Sequence, residues 1–289
     1  GLGAQVRAAL TTDAEGDTMF RLTDGHCPLL RDDGLCSIQR ALGEEALCNT
    51  CHEHPRFYEE YGAIRELTLS ISCPAAAQLL LKHEAPITFS SQEDGKPVTG
   101  CNDLDPDLFL AVYRARNTAI AIAQNRALPI PDRLSLELML AVRLQTLLRE
   151  KAYGRLERLL AEFSFERSRQ RALAHAKRLR KRPNGFFPCW MILNNMEHLT
   201  AHFPRLLDSC AAKEFRHVFD SRFDLQWENL TVYFFWRYFL KASVDGRILS
   251  QVQSCVFHVL CIAALFQDLD EQSLETLLPL AGLYSKEVE

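Results

Sequence analysis

Five of the chain's ten cysteines fall within residues 27–73, together with His52 and His54. That clustering constrains the fold more than any other feature. Thiolates that converge can hold soft metals or an iron–sulfur cluster, whereas a lone thiol among Leu and Ala is a small buried hydrophobe. The flanking residues favour convergence. Pro28 follows Cys27, an Asp32-Asp33-Gly34 turn precedes Cys36, His52 and Pro55-Arg56 follow Cys51, and Pro74 follows Cys73. Such residues place thiols on loops and helix ends. The intervals are irregular, with eight, fourteen and twenty-one residues separating Cys27, Cys36, Cys51 and Cys73. No pair of zinc knuckles is spelled out, and the single CxxC, Cys48 to Cys51, is weak by itself. Residue chemistry alone leaves a metal or cluster site standing beside buried thiols or disulfides. The other five cysteines are scattered and read as core residues.

At 289 residues and 47% hydrophobic content, the chain can bury a substantial core in one large domain or two smaller ones. A net charge of −4 and a pI near 6.2 argue against a general nucleic-acid binder, which would need a cationic surface. Cysteine-rich and without a signal-peptide pattern, the chain is expected in a reducing cytoplasm. The longest apolar run, residues 255–266, carries His258 and reads as a buried helix, so no membrane span is expected.

Residues 1–26 read as a short helix followed by a small hairpin. Residues 36–42 and 44–51 suggest two brief helices broken at Gly43. The spacing of Ile64, Leu67, Leu69 and Ile71 fits neither a strand nor a helix cleanly. Pro74 opens a helix at its first turn. Residues 84–100, rich in Pro, Ser, Gly and charge, are the expected linker, which divides a cysteine-rich region (1–100) from a helical one (101–289).

The second region reads as helices throughout. Asp105-Pro106-Asp107 starts one that runs over residues 108–125. Asp132 is expected to cap the next, with Leu134, Leu138, Ala141, Leu144 and Leu148 as its core stripe. Helical pattern continues over 153–163. Residues 167–182 hold eight Lys or Arg and no acid, which reads as a solvated helix face ended by the Pro183-Asn184-Gly185 turn. The aromatic cluster at 186–190 reads as core or a protein-contact patch. The class is therefore mostly α, a small irregular cysteine-rich part packed on an all-α part.

Residues 228–239, ENLTVYFFWRYF, place Asn229, Tyr233 and Arg237 on one face of a strongly apolar helix. Buried polar groups need partners. They could form an internal network or one wall of a ligand pocket, with Arg237 holding a carboxylate.

The order C-P-L-L, D-G-L-C, L-G-E-E, C-x-x-x-P-R and E-L-T-L-S-I-S-C-P-A-A-A over residues 27–77, with the 228–239 segment, resembles the flagellin lysine N-methylase family (FliB). The resemblance implies methyl transfer from S-adenosylmethionine to lysine side chains of flagellin, with a [4Fe–4S] cluster on Cys27, Cys36, Cys51 and Cys73 and Cys48 as an extra. It implies Arg56, Asn229, Tyr233 and Arg237 as cofactor-binding residues. The family's upstream cysteine run is missing from a chain that starts at Gly1, so a fragment is expected.

No GxGxxG, P-loop, GxSxG or CxxxCxxC pattern occurs. A lysine amine, with a pKa of about 10.4, must lose its proton before attacking a methyl group, so a base or a pKa-lowering pocket is required. Glu53, His54, Glu228 and Tyr233 are the candidates, and sequence does not choose among them. Flagellin is the expected partner, with homo-oligomerisation an open alternative. The rival reading is a non-enzymatic zinc-stabilised interaction module using Cys48, Cys51, His52 or His54, and a third is that the thiols are buried and inert.

Overall fold

Capping and turn chemistry set the first elements. The computed structural model describes residues 1–289 except 15, 24–25, 96, 99–103, 180–185, 212–217 and 289, with backbone alone at 179, 186–188 and 211. Helix α1 (Leu2–Ala9) leads into the hairpin of β1 (Leu10–Thr12) and β2 (Thr18–Phe20), paired Leu10 to Phe20. Helix α2 (Ser37–Leu42) stands where expected and ends at Gly43, whereas the expected helix over 44–51 is a 3-10 turn at Glu44–Ala46 followed by α3 (Asn49–Glu53).

The segment that periodicity could not settle is a hairpin. β3 (Arg56–Tyr61) pairs antiparallel with β4 (Ile64–Leu69), Arg56 opposite Leu69 and Tyr61 opposite Ile64. The two-residue loop needs a positive φ, and Gly62 supplies it at 61°. β4 turns its charge inward and its leucines outward. Glu66 is buried, while Leu67 and Leu69 are exposed. Helix α4 (Pro74–Leu81) starts with proline at its first turn.

The described residues between α4 and residue 104 have no regular secondary structure. Beyond them lie α5 (Pro106–Ala123), α6 (Ile130–Arg149), α7 (Leu156–Ser164), α8 (Glu166–Leu179), α9 (Phe186–Asn194), α10 (His202–Ala211), α11 (Asp224–Tyr238), α12 (Ala242–Asp245), α13 (Ile248–Gln267) and α14 (Leu274–Val288). Asp105 caps α5 by accepting from the backbone N–H groups of Asp107 and Leu108. Asp132 does not cap α6. That helix begins at Ile130 with Pro129 before it, and Asp132 stands in its buried first turn, 2.9 Å from Lys177 Nζ on α8. Proline at the start of a helix loses no hydrogen bond, so it displaced the expected acidic cap.

The core forms around α11, which packs on α5 and α13, while α13 packs on α6. Trp227, Phe234, Phe235, Phe239 and Phe266 are wholly enclosed there. α13 is long and apolar enough by length and composition to cross a membrane, but 61% of its most apolar window is buried inside the protein, as in a core helix. α8 buries Leu173 and Ala176 under its basic face. The Pro183-Asn184-Gly185 turn lies outside the described residues, as do the side chains of 186–188; Trp190 is core.

The hairpin and α4 join this helical body through specific bonds. Asn229 on α11 donates to the carbonyls of Leu80 and His83 at the end of α4 (2.9 and 2.8 Å). Ser70 meets Ser285 on α14 at 3.3 Å. A Cβ at Gly282 would stand 3.2 Å from the Ile71 carbonyl, so glycine permits that close approach.

Candidate functional site

The cysteines sit where the first helices begin. Cys36, Cys48 and Cys73 occupy the residue just before α2, α3 and α4, and Cys51 lies inside α3. Cys51 has a hydrogen-bonded neighbour in Cys48 and feels the charge of Cys27 and Cys36 as well. Partial desolvation, then these sulfur neighbours, push its thiol up from its ordinary value to about 11. Cys48, Cys27 and Cys36 all act on the Cys51 thiol, Cys48 most strongly. In kind, four thiols suit an iron–sulfur cluster or tetrahedral zinc. Among the described residues, no three His, Cys, Asp or Glu side chains stand close enough to hold an ion as placed. Of the remaining cysteines, Cys210, Cys255 and Cys261 are core residues as expected, Cys189 is exposed, and residue 101 lies outside the described residues.

The polar face of α11 is buried, and its members go different ways. Asn229 is committed to α4. Arg237 lies 3.6 Å over the Phe57 ring of β3 and its Nε donates to the Tyr238 hydroxyl at 3.0 Å. Tyr233 lines the large cleft described below. Arg56 is exposed at the start of β3, donating to the His52 carbonyl at 3.3 Å. The structure thus carries Asn229, Tyr233 and Arg237 on one helix, and of the four predicted cofactor residues Tyr233 alone lines the cleft.

The candidate bases divide similarly. Glu228 is enclosed by Arg133 (2.8 Å) and Arg126 (2.9 Å), so both its oxygens are already taken. Glu53 and His54 are exposed at the end of α3. Two further buried groups escaped sequence reading. Glu137 on α6 is enclosed, its carboxyl oxygens meeting the backbone of Ala123 short of a well-formed hydrogen bond, and burial holds its pKa well above the carboxylate range. His258 on α13 bonds the Tyr284 hydroxyl (2.8 Å) and Ser254 (3.1 Å); burial, then the charge of Arg237, push its imidazole down to about 4.

A cleft of about 1210 Å³ runs between the β3–β4 hairpin, α4, α11 and the 87–98 segment. Its aromatic wall includes Tyr58, Phe89, Tyr113, Tyr233 and Trp236. Phe89 stacks on Trp236 with ring centres 3.7 Å apart, and Arg116 lies 4.1 Å over the Trp236 ring. Glu66, on the cleft wall, is held by Arg116. The only clue to that pair in sequence was a charge at an inward strand position, visible once the strand phase is known.

A family model described as the FliB lysine N-methylase C-terminal domain matches residues 116–289, more than half of the chain. The chain is 39% identical over 57 residues to the flagellar biosynthetic protein FliU of Salmonella muenchen, a match covering 20% of this chain and 34% of that protein. Lysine-N-methylases of Salmonella typhimurium and Salmonella choleraesuis show the same identity over 57 residues, 20% of this chain and 14% of theirs. These matches span about a third or less of each relative's length. No solved structure matches the chain. The match over residues 116–289, which takes in α11 and its enclosed polar residues, shows that the chain belongs to the FliB lysine N-methylase family.

Proposed function

We propose that this protein transfers methyl groups from S-adenosylmethionine to lysine side chains of flagellin, in the cytoplasm, with an iron–sulfur cluster held by its cysteines. The observation that carries the reading is that α11, inside the family-matching region, lends Val232, Tyr233 and Trp236 to the lining of the 1210 Å³ cleft. The names of the Salmonella lysine-N-methylases support the reaction class, and that of FliU supports a flagellar substrate.

Transfer requires a neutral lysine amine. Its nitrogen lone pair forms a bond to the donor's methyl carbon while the carbon–sulfonium bond breaks, giving methyl-lysine, S-adenosylhomocysteine and a proton. The lysine enters as an ammonium and must lose its proton to a base before it attacks. Tyr233 faces the cleft from α11; Arg237, one turn further on, lies outside the cleft lining over Phe57 and is the residue we assign to the donor's carboxylate. Asn229 acts in this scheme by fixing α4 against α11, and Arg56 by ordering the strand that carries Phe57.

Cys27, Cys36 and Cys51, with Cys73 or the adjacent Cys48 as the fourth, are the thiols that would hold the cluster. When bound, it supplies one-electron redox capacity and a rigid thiolate-linked scaffold. Iron and acid-labile sulfide in protein purified without oxygen, together with methyl transfer from labelled S-adenosylmethionine to flagellin, test the reading. Zinc without sulfide and without transfer would favour the zinc-stabilised interaction module.

A further inference from the structure

The cleft carries a feature that methyl transfer alone does not explain. All residues from Gly62 to Leu69 line it, on both faces of β4. A strand whose neighbouring side chains all border one space presents its edge to that space. The sheet has two strands, so β4 has a free edge, and among the described residues no backbone hydrogen bond from the 87–98 segment reaches it. Exposed strand edges accept a further strand.

The flanks of that edge are apolar yet open to solvent. Leu67 is 51% exposed, Leu79 71% and Tyr58 48%. Clustered exposed apolar side chains mark a surface that binds something. The charge specifies what. Besides Glu66, which Arg116 neutralises, the described lining holds Glu60, Glu93 and Asp94 against the guanidinium of Arg65. Arg65 bridges Glu60 (2.8 Å) and Asp94 (3.2 Å), leaving the wall with an acidic excess. Acidic groups beside aromatic faces recognise an alkylammonium. The protein itself already rests Arg116 on Trp236 in the same wall.

We propose that this cleft binds an extended, lysine-bearing segment of the protein substrate as an added strand on β4, its lysine side chain reaching inward to Tyr233 and Trp236. The inference rests on the protein-lysine methylation reading and names the site where the substrate docks. The strand edge supplies main-chain affinity, the exposed leucines grip alternate side chains, and the acidic aromatic wall selects the cation. Phe89 stacks on Trp236 and Arg116 lies over the same ring, so the methylene chain reaches a face of that ring only by displacing Phe89.

The test measures binding with no methyl donor present, by anisotropy of a fluorescein-labelled flagellin peptide carrying one lysine and of the same peptide with norleucine in its place. The lysine peptide is expected to bind about tenfold or more tightly than the norleucine one. Leu67→Lys and Leu79→Lys, both at exposed positions, are expected to weaken it by a similar factor, and hydrogen exchange should slow in residues 64–69. Equal affinity for the two peptides, unchanged affinity in both variants, or protection confined to other segments would overturn the proposal. Binding that meets these expectations in a protein without methyl transfer would remove the proposed reaction and keep the cleft. Transfer that persists while both variants bind normally would remove the cleft and keep the reaction.

Discussion

Glu66 and Arg116 meet in the interior through two hydrogen bonds, Nη1 to Oε2 at 2.7 Å and Nη2 to Oε1 at 2.5 Å, joining β4 to α5. Arg116 also stacks on Trp236 and donates to its carbonyl at 3.4 Å. One guanidinium on α5 thereby ties β4 to α11, two of the elements that line the cleft. A buried pair of this kind contributes little net stability, since desolvating both ions offsets their attraction. Its value is in placement.

Removing one partner strands a charge. Glu66→Gln is expected to lower the free energy of unfolding by about 3 kcal/mol or more, whereas the double replacement Glu66→Leu with Arg116→Met should recover much of that loss. Denaturant titration of the two variants beside the unchanged protein checks the pattern. Equal losses for the single and double variants would mean that the pair is held by more than its own charge.

Cys48 and Cys73 discriminate between two ligand sets. Cys48 is hydrogen-bonded to Cys51. Cys48→Ser is therefore expected to lose most of the iron and sulfide of anaerobically purified protein, and Cys73→Ser to retain them. The reverse result would return the fourth thiolate to Cys73, as the family resemblance implies.

His258 makes stability depend on pH in one direction. Its folded pKa, about 4, lies below the ordinary 6.5, so between these values the unfolded chain binds more protons. Stability present above about pH 6.5 is lost as pH falls toward 4, by about 3 kcal/mol for a shift of this size. His258→Gln keeps a polar partner for Tyr284 and removes the titration. The fall in unfolding free energy between pH 7 and 4.5, followed by denaturant melts, should be smaller in that variant by about 2 to 3 kcal/mol. An unchanged slope would assign the acid sensitivity elsewhere.

Local chemistry determined most of the elements. Asp105-Pro106-Asp107 starts a helix in any context, because the side chain satisfies free N–H groups and proline has none to lose. The stripe from Leu134 to Leu148 could only face a core, and the enclosed polar face of α11 was legible as four-residue spacing among aromatics. The cysteine cluster was legible as a cluster. What brings Cys48 beside Cys51 is the turn of α3, with Cys48 just before it and Cys51 inside it. Tertiary structure alone decided β4. Its leucines border a cleft and its glutamate enters the core because Arg116, fifty positions away, is there to receive the charge. Periodicity assumes that apolar side chains point inward, and that assumption fails where a surface is kept apolar and a buried charge is paired. For the same reason Asn229 and Arg237 share a helix face yet serve different neighbours, and the cleft exists only where four distant segments meet.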